Sequence, residues 1–214
     1  MNITILGTGN MGRGLAALML EGGNNVTLVS RNLEKAETLA KELAGKAKKG
    51  AVVKTAAAGG PILDLVVVST IGYPAVLDIV KSYGSKLSGK ILVDVSNPLN
   101  QTFDGLSTPP GSSAAQELAK VVPAGTTVLK AFNTTFAGLL YQGNVANQPL
   151  DVLIAGDNAE AKATLSGLVE EGGQHAYDVG ALKMAGPLEG MALISIILQS
   201  KMAKPWMTAV KLVS

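Results

Sequence analysis

An α/β fold with a doubly wound parallel sheet is predicted for this 214-residue chain by three features. Short apolar runs alternate with helix-like runs from residue 2 nearly to the end, the order that builds parallel sheets with right-handed crossovers. The first run, "NITIL" (2–6), leads straight into Gly7-Thr8-Gly9-Asn10-Met11-Gly12, the glycine spacing of a Rossmann dinucleotide turn. Beyond residue 150 the alternation continues in smaller form. The predicted plan is therefore a dinucleotide-binding Rossmann domain over 1–135 with a small C-terminal α/β extension over 136–214.

Each element has its own signal. After "NITIL" a small-residue helix is expected over about 10–22. "NVTLVS" (25–30) gives a second strand, and "LEKAETLAKELAG" (33–45) a helix that Gly45 would stop. "AVVKT" (51–55) is the third strand, followed by the glycine-broken "AAAGGP". "LDLVVVST" (63–70) is continuously apolar, the pattern of a strand buried on both faces. Pro74 suits the first turn of the next helix. "KILVDVS" (90–96) and "TTVLKAF" (126–132) are the fifth and sixth strands. Between them "NPLNQTFDGLSTPPGSS" is long and rich in Pro, Gly and Ser, the profile of a functional or mobile loop. The extension reads as "DVLIAG", a helix over about 158–171 and "HAYDVG". A last helix is expected from near Pro187 to about Lys204, ended by Pro205.

Bulk composition excludes several classes. Hydrophobic residues make up 47% and charged residues 16%, which rules out a disordered tail protein. The net charge of +2 comes from scattered lysines, with one short run at Lys46, Lys48 and Lys49. With only 4% aromatics, a nucleic-acid surface is not expected. There is no cysteine, hence no disulfide, zinc–thiolate site or thiol nucleophile. The first strand begins at residue 2 with no leader-like segment before it, and "GMALISIILQS" is short for a bilayer span. A cytoplasmic protein without a membrane span is the expectation.

In the glycine turn, Gly7 permits the tight exit from the strand and Gly9 lets backbone approach a pyrophosphate. Gly12 allows helix to pack on strand. The helix N-terminus then offers unpaired N–H groups to the phosphates. About twenty residues on, the second strand ends in Ser30-Arg31-Asn32. An NAD site would place Asp or Glu there for the ribose 2′-OH, whereas the guanidinium fork of Arg31 suits a 2′-phosphate. Lys35, one turn into the next helix, adds a second charge. The other reading of Arg31 is a solvated loop residue. The chain has two arginines, Arg13 and Arg31, and both fall beside this region. NADP(H) is the predicted cofactor.

No familiar catalytic set is present. Tyr83 and Lys86 in "YGSK" stand three apart, not the four of a Tyr–Lys dyad, and Gly84 weakens that helix end. The one histidine, His175, lies far from the first-domain motifs and reads as structural. Metal-ligand spacing is absent, so no catalytic residue and no metal are assigned. About 35 residues after "HAYDVG" cannot supply the large helical second domain of the hydroxyacid dehydrogenases. Hydride transfer between a nicotinamide and a flavin-like ring needs no dedicated acid–base side chain, only positioning.

In order along the chain come "ILGTGNMGRGLA", "LVSRN", "VVVSTIGYPAV", "ILVDVSNP", "SSAAQELAKVVP" and "VLKAFNTTFAGLL". This set resembles the NADPH-dependent coenzyme F-420 oxidoreductase family, and the cytoplasmic domain of the six-transmembrane metalloreductases. "IAGDNAEAKATLSGLVEEGG" and "YDVGALKMAGPLEGM" extend the resemblance over nearly the whole chain. It implies Thr8, Asn10 and Met11 around the pyrophosphate, and Ser30, Arg31 and Lys35 at the 2′-phosphate. It implies Thr70, Ile71 and Tyr73 under the adenosine-side phosphates and nicotinamide ribose. Ser96, Asn97, Pro98, Asn133 and Thr134 would then lie near the nicotinamide and acceptor. Asn97-Pro98 can also be read as a turn former, and Asn133 as a helix cap. Two positions depart from the family: Gly186 follows Ala185 where an Ala-Arg-like pair is usual, and Asn133 stands where deazaflavin reductases can carry His.

The expectation is an NADPH-dependent oxidoreductase with coenzyme F-420, a flavin or a similar small flat molecule as hydride acceptor. One alternative is a reductase of small carbonyls or imines with Tyr73 or Tyr141 as proton donor. Another is a non-catalytic NADP(H)-binding redox sensor. A homodimer is expected through the apolar helix "PLEGMALISIIL", which can also be read as core.

Overall fold

The computed structural model describes residues 1–68, 72–202 and 206–213. The backbone forms one eight-stranded sheet in the order β3-β2-β1-β4-β5-β6-β7-β8. The first half comprises β1 (Asn2–Leu6), α1 (Asn10–Glu21), β2 (Asn25–Ser30), α2 (Leu33–Leu43), β3 (Val53–Ala57) and β4 (Leu65–Val68). It continues with α3 (Tyr73–Tyr83), β5 (Ile91–Asp94), α4 (Ala114–Ala119) and β6 (Thr127–Lys130). The extension adds α5 (Ala137–Gln142), β7 (Asp151–Gly156), α6 (Ala159–Glu171), β8 (His175–Asp178) and α7 (Ala185–Ile197).

Strands β1 to β6 pair in parallel in the 3-2-1-4-5-6 order of a Rossmann sheet. β7 turns antiparallel against β6, and β8 runs parallel to β7. The extension therefore lengthens the same sheet.

Alternation along the strands divides the core. Ile3 and Ile5, Val26 and Leu28, Val93, Leu129, Val152 and Ile154 face α1, α2, α5 and α6. Leu6, Val29, Val68, Leu92 and Val128 face α3, α4 and the start of α7. Apolar residues on both faces explain why these strands are read so easily as unbroken runs.

Several expected boundaries move. Gly45 does not stop α2, which ends at Leu43 and tightens into a 3-10 turn over Ala44–Lys46. β3 lies two residues later than "AVVKT", because this edge strand is only partly buried and gives little apolar signal. α7 begins at Ala185, before Pro187, where proline in the first turn loses no hydrogen bond. The expected end of that helix at Lys204 and Pro205 lies outside the described residues.

With the 3-10 turns flanking α7, the helical stretch Leu182–Lys201 reaches 20 residues and contains an 18-residue window with a mean hydropathy of 1.2. That is long and apolar enough to cross a membrane by length and composition, unlike the eleven-residue run taken from sequence. Its inner face nonetheless buries Leu188, Glu189 and Ala192 against the sheet side of the protein. The long loop after β5 is organised: Leu99 and Leu106 bridge antiparallel, and the Asn100 side chain accepts from the Asp104 and Gly105 amides.

Candidate functional site

The glycine turn leaves β1 with Gly7 at φ +127°, a conformation L side chains rarely adopt. α1 starts at Asn10 with Gly9 as its N-cap, and no side chain caps it, so its first amides stay available. A Cβ built on Gly9 would meet nothing within 4 Å. Protein packing does not require glycine there, so the open space is what a closely approaching ligand would use. Gly14 behaves oppositely: a Cβ there would lie 2.8 Å from the Ala137 carbonyl and from Leu140 Cβ. Gly12 is buried as expected, but the closest helix contact, α1 on α5, depends on Gly14, which the sequence reading did not single out.

On one side of the turn, Thr8 Oγ1 donates to Ser30 Oγ at 3.1 Å, tying the loop to the end of β2. Ser30 Oγ also accepts from the Asn32 amide at 3.2 Å. Asn32 caps α2, its Oδ1 accepting from the Lys35 amide at 2.9 Å. Arg31 and Lys35 are both exposed, and neither side chain forms an ion pair among the described residues. A cleft of about 350 Å³ opens here, lined by Thr8, Asn32, Glu34, Lys35, Thr38, Leu39 and Glu42.

Arg13 is occupied elsewhere. Its Nε donates to Glu42 Oε1 at 2.6 Å, and its guanidinium carbon sits 3.6 Å from the centroid of the Tyr141 ring. The hydrogen bond to Glu42 holds the guanidinium pKa above its ordinary value and the Glu42 carboxyl below its own. Arg13 therefore clamps α1 to α2 and α5 and does not join Arg31.

On the other side of the turn lies a cleft of about 560 Å³. Gly9, Asn10, Met11 and Arg13 form one wall, and Phe136, Ala137, Gly138, Tyr141, Trp206 and Met207 the other. Trp206 packs edge-on against Phe136 with centroids 5.2 Å apart. The C-terminal segment is strapped in place. Thr135 bridges Ala209, and Asp151 accepts from Lys211 Nζ at 2.5 Å and from the Leu212 amide at 2.7 Å.

The ends of β5 and β6 meet through the residues that follow them. Phe132 is fully buried with φ +62°, a strained turn for an aromatic residue, and it swings Asn133 toward β5. Asn133 Nδ2 donates to Asn97 Oδ1 and to the Leu188 carbonyl, both at 3.0 Å, while Asn97 Nδ2 donates to the Asn133 carbonyl at 2.9 Å. Asn133 therefore cross-links two strands and α7; it caps no helix, since the N-cap of α5 is Phe136. Pro98 and Thr134 are buried beside this pair. Two buried polar atoms here find no protein partner, Ser96 Oγ and Asn133 Oδ1. Tyr73 opens α3, and burial pushes its hydroxyl pKa up, reinforced by the charges of Glu117, Glu189 and Asp94. Thr70 and Ile71 lie outside the described residues.

Beneath this end sits a group the sequence reading missed. Lys130 is wholly buried and its Nζ donates to Asp94 Oδ2 at 2.8 Å, Glu189 Oε1 at 2.8 Å and the Ser96 carbonyl at 2.5 Å. Asp94 Oδ1 accepts from the Ser96 amide, and Glu189 Oε2 from the Ala114 amide. The sequence signal was one charge in each of three apolar runs, "VLKAF", "ILVDV" and "PLEGMAL".

The remaining candidates have structural duties. Tyr83 accepts from the Gly59 amide and Lys86 donates to the Gly59 carbonyl, so both hold the turn after β3. His175 is half exposed, 3.3 Å from Asp151. A Cβ on Gly186 would meet nothing within 4 Å, so this departure from the family leaves space open without closing it. Among the described residues no group of three His, Cys, Asp or Glu could hold a metal ion.

Comparison with known proteins agrees with the fold and places the chain in a family. Residues 2–98 match the family described as NADP oxidoreductase, coenzyme F420-dependent. The F420-dependent NADP reductase of Methanothermobacter marburgensis is 31% identical over 94% of this chain and 93% of its own length. The rat metalloreductase STEAP3 is 34% identical over 89% of this chain, but the chain spans only 36% of that protein. A crystal structure from Arthrobacter sp. FB24, provisionally assigned as an F420-dependent NADP reductase, superposes with a TM-score of 0.78. It is 26% identical, and the match covers 95% of each chain.

Proposed function

This chain belongs to the coenzyme F420-dependent NADP oxidoreductase family and is an NADP-dependent oxidoreductase, and we propose that its hydride acceptor is a flat ring, a deazaflavin such as F420 or a flavin. The residues present fit NADP(H). Gly7 to Gly12 and the uncapped start of α1 would hold the pyrophosphate, with Thr8 and Ser30 bracing the loop. Arg31 and Lys35, both exposed beside Asn32, would take the 2′-phosphate. The unpartnered Ser96 Oγ and Asn133 Oδ1 would meet the polar edge of the nicotinamide, with Asn97 and Thr134 alongside. When bound, the nicotinamide supplies the hydride.

The observation that carries the acceptor reading is the second cleft. Its walls come from both parts of the chain, residues 9–13 and residues 136–207, which supports a division near 135 with the extension completing an acceptor pocket. Its lining is aromatic and apolar, with Tyr141 and the clamped Arg13 as its titratable side chains. Such walls hold a ring and exclude water, and transfer between two rings asks for little else. Tyr73, the other candidate proton donor, is made a weaker acid by its surroundings, which counts against carbonyl or imine reduction.

Purified chain with NADPH, offered F420, FMN, FAD, simple quinones, and a small ketone or imine in parallel, tests this. NADPH oxidation with F420 or a flavin is the expected result. Turnover of the ketone or imine alone, or tight NADPH binding with no turnover, would replace it by the reductase or the sensor reading. A homodimer is part of the proposal, because Ile194, Ile197 and Leu198 stay exposed at the outer end of α7. Sedimentation should give about twice the 21.8 kDa chain mass; a single species of the monomer mass would remove that part.

A further inference from the structure

Lys130, Asp94 and Glu189 are each 0% exposed, and one ammonium stands between two carboxyl groups. With both acids ionised the network carries one net negative charge at side chains closed off from the surface. Buried charge that is not balanced is costly, so the network gains by holding one further proton or by meeting a second positive charge. Glu189 is the group that takes the proton: desolvation pushes its carboxyl pKa up, and the Lys130 charge does not fully offset it. Among the described residues, the titratable side chains that act on the network from neighbouring elements do not supply a positive charge; the Ala114 amide at the start of α4 donates a hydrogen bond but carries no full charge. Tyr73 on α3 is neutral, and Glu117 on α4 is engaged by Lys120 and Ser112.

The network is fastened to the predicted nicotinamide end. Lys130 holds the Ser96 carbonyl and Asp94 the Ser96 amide. Glu189 adjoins Leu188, whose carbonyl receives Asn133. The two unpartnered polar atoms, Ser96 Oγ and Asn133 Oδ1, sit on these same residues. A nicotinamide ring is neutral when reduced and positive when oxidised. The second positive charge the network lacks is therefore one that only the oxidised cofactor brings.

We propose that Lys130, Asp94 and Glu189 act as a one-proton counter-charge that distinguishes the two redox forms of the cofactor, so that NADP⁺ binds with loss of a proton and NADPH does not. This rests on the reading that Ser96 and Asn133 border the nicotinamide. The balance is simple: the protonated, neutral network plus NADP⁺ gives the complex with an ionised network and one proton to solvent. By linkage, NADP⁺ affinity then rises with pH through the titration of Glu189, by up to tenfold per unit, while this contribution is absent for NADPH. The 2′-phosphate also titrates, near pH 6, but equally in both nucleotides, so the difference between them isolates the network.

The test is isothermal titration calorimetry of the full chain with NADP⁺ and with NADPH, from about pH 5.5 to 8, in buffers of different ionisation heat. The slope against that heat counts protons. A difference approaching one proton between the nucleotides at some pH in the range is expected. It should vanish in Glu189→Gln, whose NADP⁺ affinity above the titration should fall about tenfold while NADPH affinity changes less than about twofold. Equal proton counts for both nucleotides across the range in the unaltered chain would overturn the proposal, whether or not the variant folds. So would a difference that survives in Glu189→Gln. Absence of binding by both nucleotides would overturn the cofactor reading itself, and the proposal with it.

Discussion

The two ends of the candidate cofactor site are built on opposite principles. At the adenosine end, Arg31 and Lys35 project from a helix start into solvent, and the hydrogen bonds nearby are local ones among Thr8, Ser30 and Asn32. At the proposed nicotinamide end, Asn97 and Asn133 are locked to each other and to the Leu188 carbonyl, and the Ser96 backbone to a buried ion network spanning β5, β6 and α7 and reaching the start of α4. The first arrangement would recognise a phosphate, as proposed, with charges that cost the fold little, since exposed side chains contribute little to stability. The second fixes atoms in place by committing the core to them. On the proposed placement of the cofactor, specificity for the phosphate and rigidity at the reacting end would be carried by separate sets of residues.

The comparison breaks most visibly at Lys130. Lys130→Met keeps most of the length and the unbranched shape of the side chain but leaves Asp94 and Glu189 facing each other with no cation. Loss of one partner from a buried pair costs about 3–5 kcal/mol. Urea unfolding should show a loss of that size at neutral pH, and a smaller one in mild acid. The sign follows from Glu189: its raised pKa favours the protonated form in the folded state, so its contribution is present at low pH and lost as pH rises through its titration. A loss under about 1 kcal/mol at neutral pH would show that the network is not what rigidifies this end.

The same contrast explains what the sequence disclosed. The glycine turn and the end of β2 are local patterns, with Gly7 to Gly12 contiguous and Arg31 close behind, so spacing alone found them. The parallel strands were legible because burial on both faces makes them unbroken apolar runs, while β3, an edge strand with partial burial, was misplaced by two residues. Lys130 lies 36 residues from Asp94 and 59 from Glu189. No window of sequence contains two of them. Each is a single charge interrupting an apolar run, and read together those interruptions signal a buried, mutually paired set. Arg13 falls beside the turn as its place in the sequence suggested, but that proximity said nothing of Glu42 or Tyr141, which pack beside it only in the fold.

The smaller effect sharpens the other side of the comparison. Arg31→Ala removes an exposed side chain that holds nothing in the fold, so unfolding stability should move by no more than about 0.5 kcal/mol. A charged hydrogen bond to phosphate is worth about 1.5–3 kcal/mol, so NADPH affinity should fall roughly tenfold to a hundredfold. NADH, which lacks the 2′-phosphate, should lose less than about twofold, since it presents no charge at that position. Fluorescence titration of both nucleotides, paired with urea unfolding of the same variant, reads both quantities. Equal losses for NADPH and NADH would move the 2′-phosphate away from Arg31. An unfolding loss as large as the binding loss would mean that the adenosine end is also built into the core, and the division between the two ends would no longer hold.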